Sequence, residues 1–105
     1  MSAHSRRPVL GVEARGDLSD VLLFTERRWG KTQRREYRRV LWEAFAELAR
    51  FPHMGRSRPD YGPDFQSFRV RQHIIIYQFT DTELRIARIL HIRRDADTAF
   101  EPAPE

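Results

Sequence analysis

Three residues near the end of the chain have types and spacing that could do chemistry. Arg88 and His91 lie inside the apolar run LRIARILHI (84–92), and Asp95 follows shortly after. A histidine titrates near neutral pH and can pass a proton, and a carboxylate can hold it in one tautomer. An arginine inside a core strand is costly unless it is paired or lies at a surface. Each has a plainer explanation. Arg88 can face solvent on an open side of a sheet. The His91 imidazole can bond a backbone group or Asp95 and order the chain where it leaves the sheet. The structural alternative is favoured, because no nucleophile accompanies these residues: the chain has no cysteine, and no serine sits in a glycine-flanked elbow. His4, His53, His73 and His91 lack paired ligand spacing, so neither a metal site nor a cofactor is expected. A second group is basic. Arg56, Arg58, Arg69, Arg71, Arg93 and Arg94 are expected to converge beside the sheet and, with His91, to form a target-contacting patch.

Composition supports an anionic partner. The 105 residues carry a formal charge of +4, and of 19 basic residues all but Lys31 are arginine. The planar guanidinium fork suits phosphates and carboxylates, so an acidic protein segment or a nucleic acid is the expected partner class. Arginine-rich usage can also reflect only a solvated surface. The length suits a single domain over 1–105 with one core, its ends (1–7 and 97–105) expected to be loose. The absence of cysteine rules out a disulfide scaffold and fits a reducing cytoplasm. No apolar run reaches membrane-spanning length, and no signal-peptide core follows the N-terminal basic residues.

The elements that must position these groups can be read in order. PVLGVE (8–13) suits a short strand able to add at a sheet edge, and Gly16-Asp17 reads as a break. A helix is then expected, with an apolar stripe of Leu18, Val21, Leu22 and Phe24, ending at Trp29-Gly30. A second helix is expected from Thr32, as N-cap, to Ala49. It carries Tyr37, Val40, Leu41, Ala44, Phe45 and Leu48 on one face and Arg34, Arg35, Arg38 and Arg39 on the other. The short link between them predicts an antiparallel helical hairpin. PHMGRSRPDYGPD (52–64) reads as a loop. FQSFRVR (65–71) alternates as a half-buried strand, and QHIIIYQF and LRIARILHI flank TDTE as a β-hairpin. The predicted class is α+β: strand-helix-helix-strand-strand-strand, with the helical hairpin packed on a small antiparallel sheet. Tyr77 is expected in or beside that sheet, Trp29 as a cap on the hairpin core, and Phe100 tucked back from the tail.

The ordered motifs resemble a known family. A-x-x-D-L-x-x-V-x-x-F runs from Ala14 to Phe24, W-G-x-x-Q-x-x-x-Y-x-x-x-L from Trp29 to Leu41, and F-x-x-L-x-x-F-P-x-x-G-R from Phe45 to Arg56. H-I-I-I-Y spans His73 to Tyr77, and R-I-L-H-x-x-x-D spans Arg88 to Asp95. This set resembles the ParE branch of the RelE/ParE toxin superfamily of bacterial type II toxin–antitoxin systems, over about residues 9–96. The resemblance implies a cognate ParD-like antitoxin wrapped on the toxin, for which Leu22, Arg27, Trp29, Arg34 and Arg38 are the candidate contacts. It also implies inhibition of DNA gyrase, with no sequence-specific nucleic-acid binding by the toxin itself.

The superfamily also contains ribosome-dependent mRNA endonucleases. Those relatives carry an arginine at the second position of the HIIIY strand and a tyrosine near the chain end, where this chain has Ile74 and Phe100. Metal-free phosphodiester cleavage needs groups that move protons and stabilise phosphate charge, and neither side chain can do so. Arg94 does stand at an arginine position of that site. Gln66 departs from the ParE pattern, where many members have arginine. Three functions follow in order: a gyrase-binding toxin without bond-breaking chemistry, an mRNA endonuclease, and an inactive toxin-fold binding module.

Overall fold

The computed structural model describes residues 6–94. Asp95, Phe100 and the terminal segments 1–5 and 95–105, including the expected loose tail, lie outside the described residues. The elements in order are β1 (Arg7–Leu10), α1 (Val12–Trp29), α2 (Lys31–Arg50), a 3-10 turn (Pro52–Met54), β2 (Arg56–Ser57), β3 (Gln66–Val70), β4 (His73–Phe79) and β5 (Glu83–His91). The sheet has the order β1-β5-β4-β3-β2. Strands β3, β4 and β5 form the expected antiparallel meander, while β1 adds at the edge in parallel with β5. That pairing makes the sheet mixed, because the chain must cross over through both helices before it returns to β5's neighbourhood.

Two apolar stripes and one sheet face make the core. Leu41, Phe45 and Leu48 of α2 and Ala14 and Leu22 of α1 pack on Val70, Ile75, Tyr77, Leu84, Ile86 and Ile89. Phe45 and Leu41 are fully buried, each stabilising the fold by roughly 1.5–3 kcal/mol through burial. Strand β5 is apolar at both parities because it contains a bulge. Ile76 pairs with Arg88 but Tyr77 pairs with Ile86, so Ala87 is passed over and the alternation resets.

Several expectations change. The break at Gly16-Asp17 does not occur, and α1 runs through both residues. Nothing lies within 4 Å of where a Gly16 Cβ would stand, so the glycine reflects no packing demand. Asp17 instead ties the helix to the sheet. Its carboxylate accepts from Arg88 Nε at 2.7 Å and Nη2 at 3.1 Å, and from the Ile89 amide at 2.9 Å. Strand β1 stops pairing at Leu10–Ile86, so Asp17 stands in for the missing edge strand. Arg88 is therefore an internal ion-pair partner and does not project into solvent from an open face. Second, α2 begins at Lys31 with Gly30 as the N-cap, at φ 99° and ψ 174°, and Thr32 lies inside the helix. Third, the loop after α2 holds the 3-10 turn and β2, which adds a fifth strand beside β3. Fourth, Phe24 leaves the apolar stripe and is 66% exposed.

Candidate functional site

Two neighbouring strand ends and the helical hairpin build a cleft. Strand β3 turns into β4 at Arg71, whose φ of 52° permits the tight reversal. The register places Val70, His73 and His91 side by side. Above them the helices contribute Phe24, Thr25 and Trp29 from α1 and Gln33 and Tyr37 from α2, enclosing about 470 Å³. A second hollow of about 260 Å³ shares Phe24, His73 and His91 and extends to Asp20 and Arg94.

The floor is a linked set of polar aromatics. Tyr37 Oη lies 2.5 Å from His73 Nδ1 and donates to the Val70 carbonyl at 3.3 Å. Both bonds form when Nδ1–H donates to Tyr37 and the hydroxyl donates onward, which leaves Nε2 as an acceptor. Burial, and then the charge of His91, hold the His73 pKa down at about 4, so the ring is neutral at neutral pH. Burial pushes Tyr37 up to about 12, against the opposing pull of Arg71, so the hydroxyl stays protonated. The Arg71 guanidinium sits 5.6 Å from the Tyr37 ring centroid. His73 and His91 meet edge to face at 5.5 Å. His91 Nδ1 accepts from the Arg93 amide at 3.0 Å, which orders the strand exit through a backbone bond.

The structure divides the arginine set. Arg69, Arg71, His91, Arg93 and Arg94 lie at the end of the sheet where β3 turns and β5 leaves. Arg69 is held there by a 2.7 Å bond to the Arg71 carbonyl. Arg56 lies on the edge strand β2, and Arg58 follows it toward the opposite end, with its amide bonded to the Phe65 carbonyl. The Arg58 side chain is only 11% exposed, bonded through Nε and Nη2 to Asp60, and stacked 4.9 Å from the Tyr61 ring centroid. It serves the loop and offers no free fork.

The hairpin candidates divide as well. Leu22 is buried in the core, which takes it out of any contact surface. Trp29 is 64% exposed and walls the cleft, so it does not cap the core. Arg34 and Arg38 stand on the other flank of α2, around a shallow depression with Lys31 and Arg35. Phe24, Tyr37 and His73 were absent from the candidates. The signal for Phe24 was present: at about 100° per residue it falls about a quarter-turn off the stripe of Ala14, Leu18, Val21, Leu22 and Thr25. Nothing local links Tyr37 to His73, which are 36 residues apart.

A helical hairpin packed on a five-stranded sheet, with an aromatic cleft at one end and arginines where the last strand leaves, defines a small α+β protein with an open, partly apolar cleft. A family model described as the ParE toxin of the type II toxin–antitoxin system, parDE, matches residues 9–96, and the chain belongs to that family. It is similar to Toxin ParE1 of Caulobacter vibrioides, with 28% identity over 82 residues that cover 78% of this chain and 84% of the relative. Its fold matches a solved chain of the chromosomal ParDE system from P. aeruginosa with a TM-score of 0.69 at 17% identity. That match covers 84% of this chain and 97% of the other. Among the described residues, no helix is long and apolar enough to cross a membrane.

Proposed function

We propose that this ParE toxin acts by gripping DNA gyrase, without bond-breaking chemistry of its own, and is silenced when a cognate ParD-like antitoxin segment occupies the cleft. The observation that carries this proposal is the cleft itself. Phe24 and Trp29 are large, apolar and about two-thirds exposed, which is costly to leave in water and suits an apolar anchor from a partner. Arg71 at the rim of the cleft suits an acidic group on that segment, and matched charge speeds encounter and sets register. Against cleavage chemistry, the polar floor is occupied internally, since His73 Nδ1 is engaged by Tyr37 and His91 Nδ1 by a backbone amide. Ile74 supplies no cation to the strand beside it.

The strand-exit arginines Arg93 and Arg94 are the proposed target contacts, with His91, Arg69 and Arg71 beside them. Purified toxin should inhibit gyrase supercoiling and leave transcripts on translating ribosomes intact. Transcript cleavage with unimpeded supercoiling would assign it to the nuclease branch, and neither activity would leave a binding module. Arg93→Ala/Arg94→Ala should lower toxicity while antitoxin affinity holds. Equal loss of both would merge the two surfaces.

A further inference from the structure

The flank of α2 on the other side from the cleft carries a cationic row that the cleft-based function proposed above leaves without a role. Lys31, Arg34, Arg35 and Arg38 line one shallow depression, and Arg35 and Arg38 continue into a second with Arg39 and Trp42. From Lys31 to Trp42 the row extends about 16 Å at 1.5 Å per residue. Among the described residues Lys31, Arg35 and Arg38 have no carboxylate partner, whereas Arg34 pairs with Glu26 at 2.7 Å and Arg39 with Glu36 and Glu43. Trp42 stands at the end of the row, 36% exposed and braced edge-on against the buried Phe45 at 5.1 Å. The row also works against its own helix. The first turn of α2 has no acidic residue and no side-chain cap, so cations crowd the positive end of the helix dipole.

We propose that this flank binds the phosphate backbone of single-stranded nucleic acid independently of sequence, with Trp42 as a stacking platform for a base. Two kinds of anionic partner fit the charge, and the surface distinguishes them. An acidic amphipathic helix needs an apolar strip to lie on, which the cleft offers and this flank, apart from Trp42, does not. A nucleic-acid strand presents charge without an apolar face, and it presents rings that stack on an exposed indole. The arginine forks match phosphate oxygens, and a phosphate near Lys31 and Arg35 also offsets their repulsion from the helix dipole.

The test is fluorescence anisotropy of the full chain with a labelled fifteen-residue oligothymidylate across a salt series. Log affinity should fall against log salt with a slope of about −2 to −3, as expected for three or four neutralised phosphates. Arg35→Gln/Arg38→Gln should weaken binding roughly tenfold at low salt and flatten the slope by about 1.4. Trp42→Leu should weaken it roughly fivefold or more through lost stacking. Arg93→Gln/Arg94→Gln should change it little. The thermal midpoint of Arg35→Gln/Arg38→Gln should be nearly unchanged, because among the described residues neither side chain pairs with a carboxylate, so lost binding cannot be ascribed to unfolding. Several results would overturn the proposal. One is no binding at low salt. Another is an equal loss in Arg93→Gln/Arg94→Gln, which would make it a property of net charge. A third is competition by poly-glutamate as effective as by unlabelled oligothymidylate, which would assign the flank to an acidic protein segment.

Discussion

The buried hydroxyl of Tyr77 holds the link between α2 and β2. Tyr77 has no exposed surface, donates to the Pro52 carbonyl at 2.6 Å, and accepts from the Gly55 amide at 3.1 Å. Burial raises its pKa, so it remains a donor. A Cβ on Gly55 would lie 2.1 Å from that hydroxyl and 2.7 Å from the Ser67 carbonyl, which is why the position is glycine. Tyr77→Phe leaves two buried backbone groups without partners and should cost about 1–3 kcal/mol in urea unfolding. Gly55→Ala should cost more, and the double variant less than the sum, because removing the hydroxyl relieves the shortest of three clashes, leaving those with the Ser67 carbonyl and the ring carbon Cζ. Strict additivity would mean that the two do not share a site. The placement of Tyr77 in the sheet was legible from the β-branched and aromatic run around it. Its dependence on a glycine 22 residues earlier was not, because that dependence exists only once the loop has folded back. Arg88 teaches the same lesson. Sequence marked it as costly in a core strand, but its partner Asp17 is 71 residues away and was read as a helix breaker. Asp17→Ala strands a half-buried guanidinium and the Ile89 amide together, so a loss of about 2–3 kcal/mol is expected.

At the scale of elements, the second helix and the meander were legible because their apolar periods are long and consistent. The start of the first helix was not. Gly16 and Asp17 are both poor helix formers, and local propensity alone favours a break there. Tertiary contacts override it: Ala14 is fully buried against the sheet, and Asp17 is engaged by β5. Gly16 then contributes only its entropic cost. Gly16→Ala should stabilise the toxin by about 0.5–1 kcal/mol, since the site is helical and open. A loss of stability on thermal or urea unfolding would place a close neighbour at Gly16 that the structure does not have. Gly30 gives the opposite expectation. Its φ of 99° is strained for any side chain, so the same substitution there should destabilise the hairpin link even though nothing crowds it. The cleft was only half legible for a related reason. Phase within one helix can flag Phe24 as out of register, but it cannot say which strand end will lie opposite.

For the molecule as a whole, the Tyr37–His73 bond fastens the helical hairpin to the end of the sheet, and that fastening depends on pH. His73 is half-buried among Tyr37 from α2, His91 from β5 and Arg71 from the preceding turn, none of which favours a second positive charge. Its pKa is about 4 in the folded chain, against an ordinary value near 6.5 when unfolded. With the folded value depressed, the unfolded chain binds the proton first as pH falls. The contribution is therefore complete above about pH 6.5, declines through the interval, and is gone below about pH 4. The full shift corresponds to about 3 kcal/mol. Solvent reaching the half-buried ring screens it, so about 1–2 kcal/mol is expected. Other groups also lose stability in acid, Asp60 among them, where Arg58 holds the carboxyl below its usual range. The informative quantity is thus the stability difference between the natural chain and His73→Gln, whose amide can still meet the Tyr37 hydroxyl. That difference, from urea unfolding at closely spaced pH values, should shift by about 1–2 kcal/mol in favour of the variant between pH 7 and 4. A difference that stays flat across that range would mean that His73 protonates as readily folded as unfolded, and that the helices are held to the sheet by apolar packing alone.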